Sequence, residues 1–242
     1  MKWIGGIAVL LASCGGGDAT SAGSPEERGD PAVQSAAGSL SGDPAEIAWH
    51  VVDTDFSKGR LGHEQTVTFQ DLIALHGHWC DGLVVGALGL GEALQQLYPN
   101  APIDRTDLRI LSRSSPCLTD AAILLTGGRA QFGTFQVSDT LTGLYIVQRI
   151  SDGRAFRVKL NPGIKPAAID SLTLLAIART LSPCGLDSLQ GIEEAFGQYL
   201  LTMDPKDAFT IIELSDFHWP DPTGPVYTKT DILNKNAPRC AH

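Results

Sequence analysis

The chain has 242 residues, 43% of them hydrophobic and 19% charged, a globular composition long enough to bury one sizeable core. Its formal net charge of -9, with no clustered run of Lys and Arg, argues against a nucleic-acid partner or an anionic membrane surface. An acidic, solvated exterior is the expectation.

Met1 to Ser13 carries one positive charge, a short apolar run and then small residues before a cysteine. The run is far shorter than the roughly 20 residues that span a bilayer, so a cleaved export signal is predicted over 1–13. Leu11-Ala12-Ser13-Cys14 resembles a lipobox, which makes Cys14 the candidate lipidation site and the lipid membrane a predicted partner. Residues 14–44, rich in Gly, Ser, Ala, Pro and acidic side chains, read as the lipidated cysteine and a flexible tether, leaving 45–242 as the folded domain. The expected location is the bacterial cell envelope, on the periplasmic face or the cell surface.

Export changes how the five cysteines are counted. With Cys14 acylated, Cys80, Cys117, Cys184 and Cys240 remain for an oxidising compartment, where thiols are paired or ligated. Two partitions stay open. Either Cys80 and Cys117 bind a metal while Cys184 and Cys240 form a disulfide, or two disulfides form and no metal binds.

Along the domain, Glu46 to Val52 reads as an edge strand or a packed lead-in. Thr68-Phe69-Gln70-Asp71 has the capping pattern of a helix start, and the helix should run into His76-Gly77-His78-Trp79-Cys80-Asp81-Gly82. Leu83 to Tyr98 is helical, with Gly86, Gly89 and Gly91 suited to close packing; a nucleotide loop would need a preceding strand, so that reading is set aside. A strand at Leu108 to Leu111, a short helix from Thr119 to Leu125 stopped at Gly127, and a strand at Phe132 to Val137 follow. Two β-rich runs, Gly143 to Val147 and Ala155 to Leu160, flank an Asp152-Gly153 hairpin turn. Helical spacing returns after Pro166 and after Leu186, and Phe209 to Leu214 is a last strand. The order predicts an α+β fold with a mixed or antiparallel sheet packed with helices, preceded by the tether.

The cluster carries the chemistry. Imidazole and thiolate are donors that zinc and other late transition metals prefer, so His78, Cys80 and Cys117 are the candidate metal ligands. Residues two apart on a continuous helix point about 200° apart, so His76 and His78 are not expected to ligate as a pair unless the helix breaks at Gly77, which a glycine permits. His76, Asp81 and Asp120 are candidates for ligation or for orienting a ligand. Trp79 reads as a packing residue, and His50, His63, His218 and His242 are assigned no role.

His76 to Gly82 resembles the HGHxCPG signature of the E-type subunit family of formylmethanofuran dehydrogenase. Cys117-Leu118-Thr119-Asp120-Ala121 with Thr126-Gly127 resembles its CxxDA…TG motif, in the same order and spacing. The resemblance covers roughly Phe69 to Leu160 and implies an α+β core, often dimeric, with a metal, commonly zinc, near the His/Cys motif. Asp81 replaces the family's proline, adding a potential oxygen donor. The C-terminal zinc finger of some relatives is missing, and a Cys184–Cys240 disulfide tying the tail to the helical region is expected instead.

Three functions compete. The first is an exported, lipid-anchored metal-binding protein that stores, senses or delivers a metal, zinc first, or a metal cofactor such as haem. The second is a metal-dependent or thiol-dependent enzyme of unassigned substrate. The third is a disulfide-bonded structural module.

Overall fold

The structure is a computed structural model and describes residues 43–241, so the predicted signal, Cys14 and nearly all of the tether lie outside the described residues. Strand β1 (Ala48–Asp55) turns into β2 (Arg60–Thr68) as an antiparallel hairpin, and the short β3 (Ile103–Asp104) joins β1 in parallel, giving the order β2-β1-β3. The predicted edge strand is therefore the middle of its sheet. Trp49 and Val51 alternate inward from β1, together with Ile47 just before it, whereas β2 buries only Val67 of its nine residues. A strand with so little apolar alternation leaves no periodic signal, so nothing in the sequence announces β2.

Helix α1 (Phe69–His76) starts as the sequence predicts. The Asp71 amide donates to the Thr68 hydroxyl at 3.1 Å while the Thr68 amide donates to the Asp71 carboxylate at 2.8 Å, a reciprocal capping box. The helix stops where Gly77 takes a left-handed φ of 98° and its amide donates to the Ile73 carbonyl.

Helix α2 (Asp81–Leu97) is the centre of the domain. It is buried on every side from Leu83 to Leu94, the pattern of a helix enclosed by other elements rather than lying on the surface. Its glycines make that enclosure feasible: a Cβ on Gly89 would sit 2.9 Å from the Phe209 ring, and one on Gly86 would sit 2.8 Å from the Tyr145 hydroxyl. Each fully buried leucine along α2 contributes about 2 kcal/mol through removal of apolar surface from water.

A five-stranded sheet packs against α2 in the order β5-β4-β6-β7-β8: β4 (Leu108–Ser112), β5 (Phe135–Val137), β6 (Tyr145–Arg149), β7 (Ala155–Leu160) and β8 (Phe209–Leu214). Only the β4–β5 pair is parallel, so the sheet is mixed and the fold is α+β, as the order of elements predicts. The β6–β7 turn uses Gly153 at a φ of 75°. Helix α3 (Pro116–Thr126) begins three residues earlier than the Thr119 expected, because Ser115 caps it and Pro116 occupies its first turn. This brings Cys117 into the helix.

Helices α4 (Ala167–Ile177) and α5 (Pro183–Thr202) pack on each other, α5 also covers α2, and the short α6 (Pro205–Ala208) leads into β8. Leu174, Leu175 and Ile177 of α4 remain exposed. A final turn, α7 (Thr230–Leu233), lies near β1. Among the described residues no helix is long and apolar enough to cross a membrane.

The expected Cys184–Cys240 disulfide is not formed; both thiols are free and exposed. Cys184 belongs to the first turn of α5. The tail carrying Cys240 is drawn instead to the β1–β2 hairpin, where Asn236 bridges to Arg60 and the Arg60 guanidinium donates to the Pro238 carbonyl at 3.1 Å.

Candidate metal centre

Three helix ends meet at the cluster. His76 is the last residue of α1, Cys80 is the N-cap of α2, and Cys117 is the second residue of α3. The left-handed cap at Gly77 turns the chain out of the helix, so the 200° divergence of positions two apart no longer applies to His76 and His78. Their rings lie 4.6 Å apart between centroids, and the donor atoms of His76, His78 and Cys80 all fall within 4.8 Å of one another. The condition under which the two imidazoles could ligate together, a break of the helix at Gly77, is thus met.

Cys117 joins through sulfur: its Sγ lies 3.6 Å from the Sγ of Cys80, which lies 3.7 Å from His76 Nε2. The Cys80 sulfur also accepts the Leu83 amide at 3.4 Å, taking up one of the free N–H groups that begin α2. With two helix N-termini aimed at two sulfurs, the backbone dipoles favour the thiolate form that a metal requires.

Asp120 fixes the orientation of His76. Its Oδ2 lies 2.8 Å from His76 Nδ1, and the His76 side chain is only 6% exposed. A carboxylate accepts and does not donate, so the ring proton sits on Nδ1 and the Nε2 lone pair faces the Cys80 sulfur. Of the two roles the sequence allows Asp120, ligand or orienting group, the geometry gives it the second and brings His76 into the donor cluster. His78 is exposed and forms the solvent-facing side of the cluster.

The thiols behave as a coupled pair. The hydrogen bond from Cys80, together with the nearby His76 and the Ser115 hydroxyl, pulls Cys117 down from 9.0 to about 6. That same bond, reinforced by burial, pushes Cys80 far above the ordinary thiol range. The hydrogen bond thus separates the two ionisations, so that the sulfurs give up their protons in two distinct steps.

Asp81 stands apart. It opens α2 beneath α5, where a Cβ on Gly197 would lie 3.2 Å from its Cα, and Lys165 and Glu193 are its charged neighbours. Burial raises its carboxyl above the usual range, and it is not among the three residues whose donor atoms cluster. Trp79 packs as predicted, its ring edge 2.6 Å from the position a Cβ on Gly197 would take.

Three further residues support the site. A Cβ on Gly82 would sit 2.8 Å from Cys117 Sγ and 4.0 Å from Cys80 Sγ, so glycine leaves the space that the Cys117 sulfur occupies. Ser115 caps α3 by accepting the Leu118 amide and supports the Cys117 sulfur; Ser115-Pro116 is a readable helix-start signal. Tyr145 is wholly buried in β6 and its hydroxyl donates to the Leu118 carbonyl at 2.9 Å, locking the first turn of α3 to the sheet.

Comparison with known families gives a match. The profile described as "FmdE, Molybdenum formylmethanofuran dehydrogenase operon" matches residues 75–210, more than half of the chain, including His76, Cys80, Cys117 and Asp120. No curated protein matches the chain significantly.

Proposed function

The chain belongs to the FmdE family, and we propose that it is an exported, lipid-anchored protein that binds a thiophilic divalent cation, zinc first, to store, sense or deliver it. The observation that carries this reading is the convergence of His76, His78 and Cys80 donor atoms within 4.8 Å, with the Cys117 sulfur 3.6 Å from that of Cys80. Two imidazoles and two thiols make a soft donor set suited to zinc, and Asp120 supplies the carboxylate partner typical of metal-bound histidine. In this reading His76, Cys80 and Cys117 hold the cation, and the exposed His78 closes or opens the remaining position.

Several donors within reach of one another suit a single ion, whereas a haem iron would use only one or two of them. The membrane enters through acylation of Cys14, with residues 14–44 as the spacer and 45–242 as the domain held in the cell envelope. A homodimer belongs to the same reading, with the exposed Leu174, Leu175 and Ile177 as the surface available to a second copy. Sedimentation of the mature chain tests that part.

The decisive experiment is metal analysis of untagged protein purified under reducing conditions. About one zinc ion per chain, lost in a Cys80→Ser Cys117→Ser double variant that still folds, supports the proposal. Reduced protein that binds no divalent cation overturns it.

A second reading rests on the solvent exposure of His78. A bound cation with an open coordination position lowers the pKa of bound water and polarises carbonyls. The side chains of this site then hold the ion and present an imidazole to a substrate. Loss of a defined activity in His78→Ala with metal content unchanged favours an enzyme over a carrier.

A further inference from the structure

Cys80 and Cys117 have a relation to each other beyond a common ligand. Their sulfurs lie 3.6 Å apart with no bond between them, whereas a disulfide requires about 2.05 Å. Closing the disulfide requires the sulfurs to approach by about 1.5 Å. Nothing blocks that movement on the flank facing α2, because Gly82 offers no side chain there. Cys80 is in addition the extended N-cap of its helix, at a φ of -155°, with only the carbonyl of its backbone engaged in the helix, by the Val84 amide. Both residues are partly accessible, which an oxidant needs. Cys184 and Cys240 lie on other elements and are exposed, so they do not share this geometry.

We propose that Cys80 and Cys117 form a reversible dithiol–disulfide couple, and that closing the disulfide releases the cation from the site. This inference rests on the metal-binding reading above. A disulfide consumes both thiolates, leaving two imidazoles, of which one is exposed, and a site stripped in this way no longer holds zinc. The ligand pair is thereby also a switch that responds to peroxide.

The chemistry balances with a hydroperoxide as oxidant. One cysteine thiolate attacks a peroxide oxygen, a sulfur–oxygen bond forms, the oxygen–oxygen bond breaks, and the leaving oxygen departs as water with a proton taken from solvent. The second thiolate then attacks the first sulfur, the sulfur–sulfur bond forms, the sulfur–oxygen bond breaks, a second water leaves with a second solvent proton, and the divalent cation that the two thiolates balanced departs. The two sulfurs lose two electrons and the peroxide gains them. A small dithiol runs the pair back by thiol–disulfide exchange.

The test uses full-length protein carrying Cys14→Ser, Cys184→Ser and Cys240→Ser, which removes the three thiols away from the site. Reduced protein is offered zinc, washed, and treated with stoichiometric hydrogen peroxide. Released zinc is followed with a chromophoric chelator and the protein by intact mass and non-reducing peptide mapping. Expected are loss of two hydrogens, a single Cys80–Cys117 cross-link, zinc release in step with it, and recovery of both states with dithiothreitol. Cys80→Ser in the same background should give an oxygen adduct on Cys117 and no cross-link. Oxidation that stops at separate sulfinic or sulfonic acids overturns the proposal, as does a cross-linked protein that retains its zinc. Failure of the metal reading itself looks different: reduced protein takes up no zinc in the first step, whatever the peptide map then shows.

Discussion

His76 and Asp120, 44 positions apart in sequence, meet through a 2.8 Å contact between Nδ1 and Oδ2. This joins the end of α1 to α3 and turns the Nε2 lone pair toward sulfur. Replacing Asp120 by Ala removes the acceptor that sets the tautomer. Zinc affinity, read by competition with a chelator of known strength, should fall by about 10- to 100-fold. Asp120→Asn should lose less, because the amide oxygen still accepts from Nδ1.

Gly82 separates binding from folding. Alanine is intrinsically better than glycine in a helix by up to about 1 kcal/mol, but its Cβ would stand 2.8 Å from Cys117 Sγ. Gly82→Ala should therefore weaken zinc binding on the order of tenfold, by turning the Cys117 sulfur away, with the strained site cancelling the helix gain. Chelator competition and thermal unfolding of the metal-free protein, compared side by side, read the two effects.

The coupled thiols predict a definite pH dependence. Cys117 is lowered, so its charged form persists downward to about 6 and is lost as pH falls through that value. Cys80 is raised, so its proton remains through the ordinary thiol range. In a chain carrying Cys14→Ser, Cys184→Ser and Cys240→Ser, which leaves only the coupled pair, thiolate absorbance of the metal-free protein should show one ionisation near 6 and no second one near 9.0. Zinc retention should decline below the first step, as protons compete for Cys117. Removing the hydrogen-bond partner with Cys80→Ala should move the Cys117 titration back upward.

Tyr145 ties the site to the sheet. Its hydroxyl is buried and donates to the Leu118 carbonyl at 2.9 Å. Tyr145→Phe keeps the ring and should cost about 1 kcal/mol in urea unfolding through the lost hydrogen bond. Because that bond anchors the first turn of α3, zinc affinity should fall by a smaller factor than in Asp120→Ala.

Much of this architecture is legible in the sequence. The capping box at Thr68 and Asp71, the Asp152-Gly153 turn and the β8 span depend on neighbours within a few residues, and local physics decides them. Strand β2 is not legible, because a mostly solvated edge strand carries no alternating apolar signal; its pairing with β1 supplies its order instead. The Cys184–Cys240 expectation fails for a related reason. Spacing does not report that Arg60 draws the tail to the hairpin.

By itself the sequence determined which donors this protein has and that they come in two clusters, because residue type and short spacing are local properties. Only the tertiary structure decided how they are used. The left-handed turn at Gly77 brings His76 and His78 together, and α3 lays Asp120 against His76 and Cys117 against Cys80. Asp81, adjacent to Cys80 in sequence, is turned under α5. The direction of a side chain at a helix end depends on the cap and on what packs over it, and both are set by residues far away in the chain.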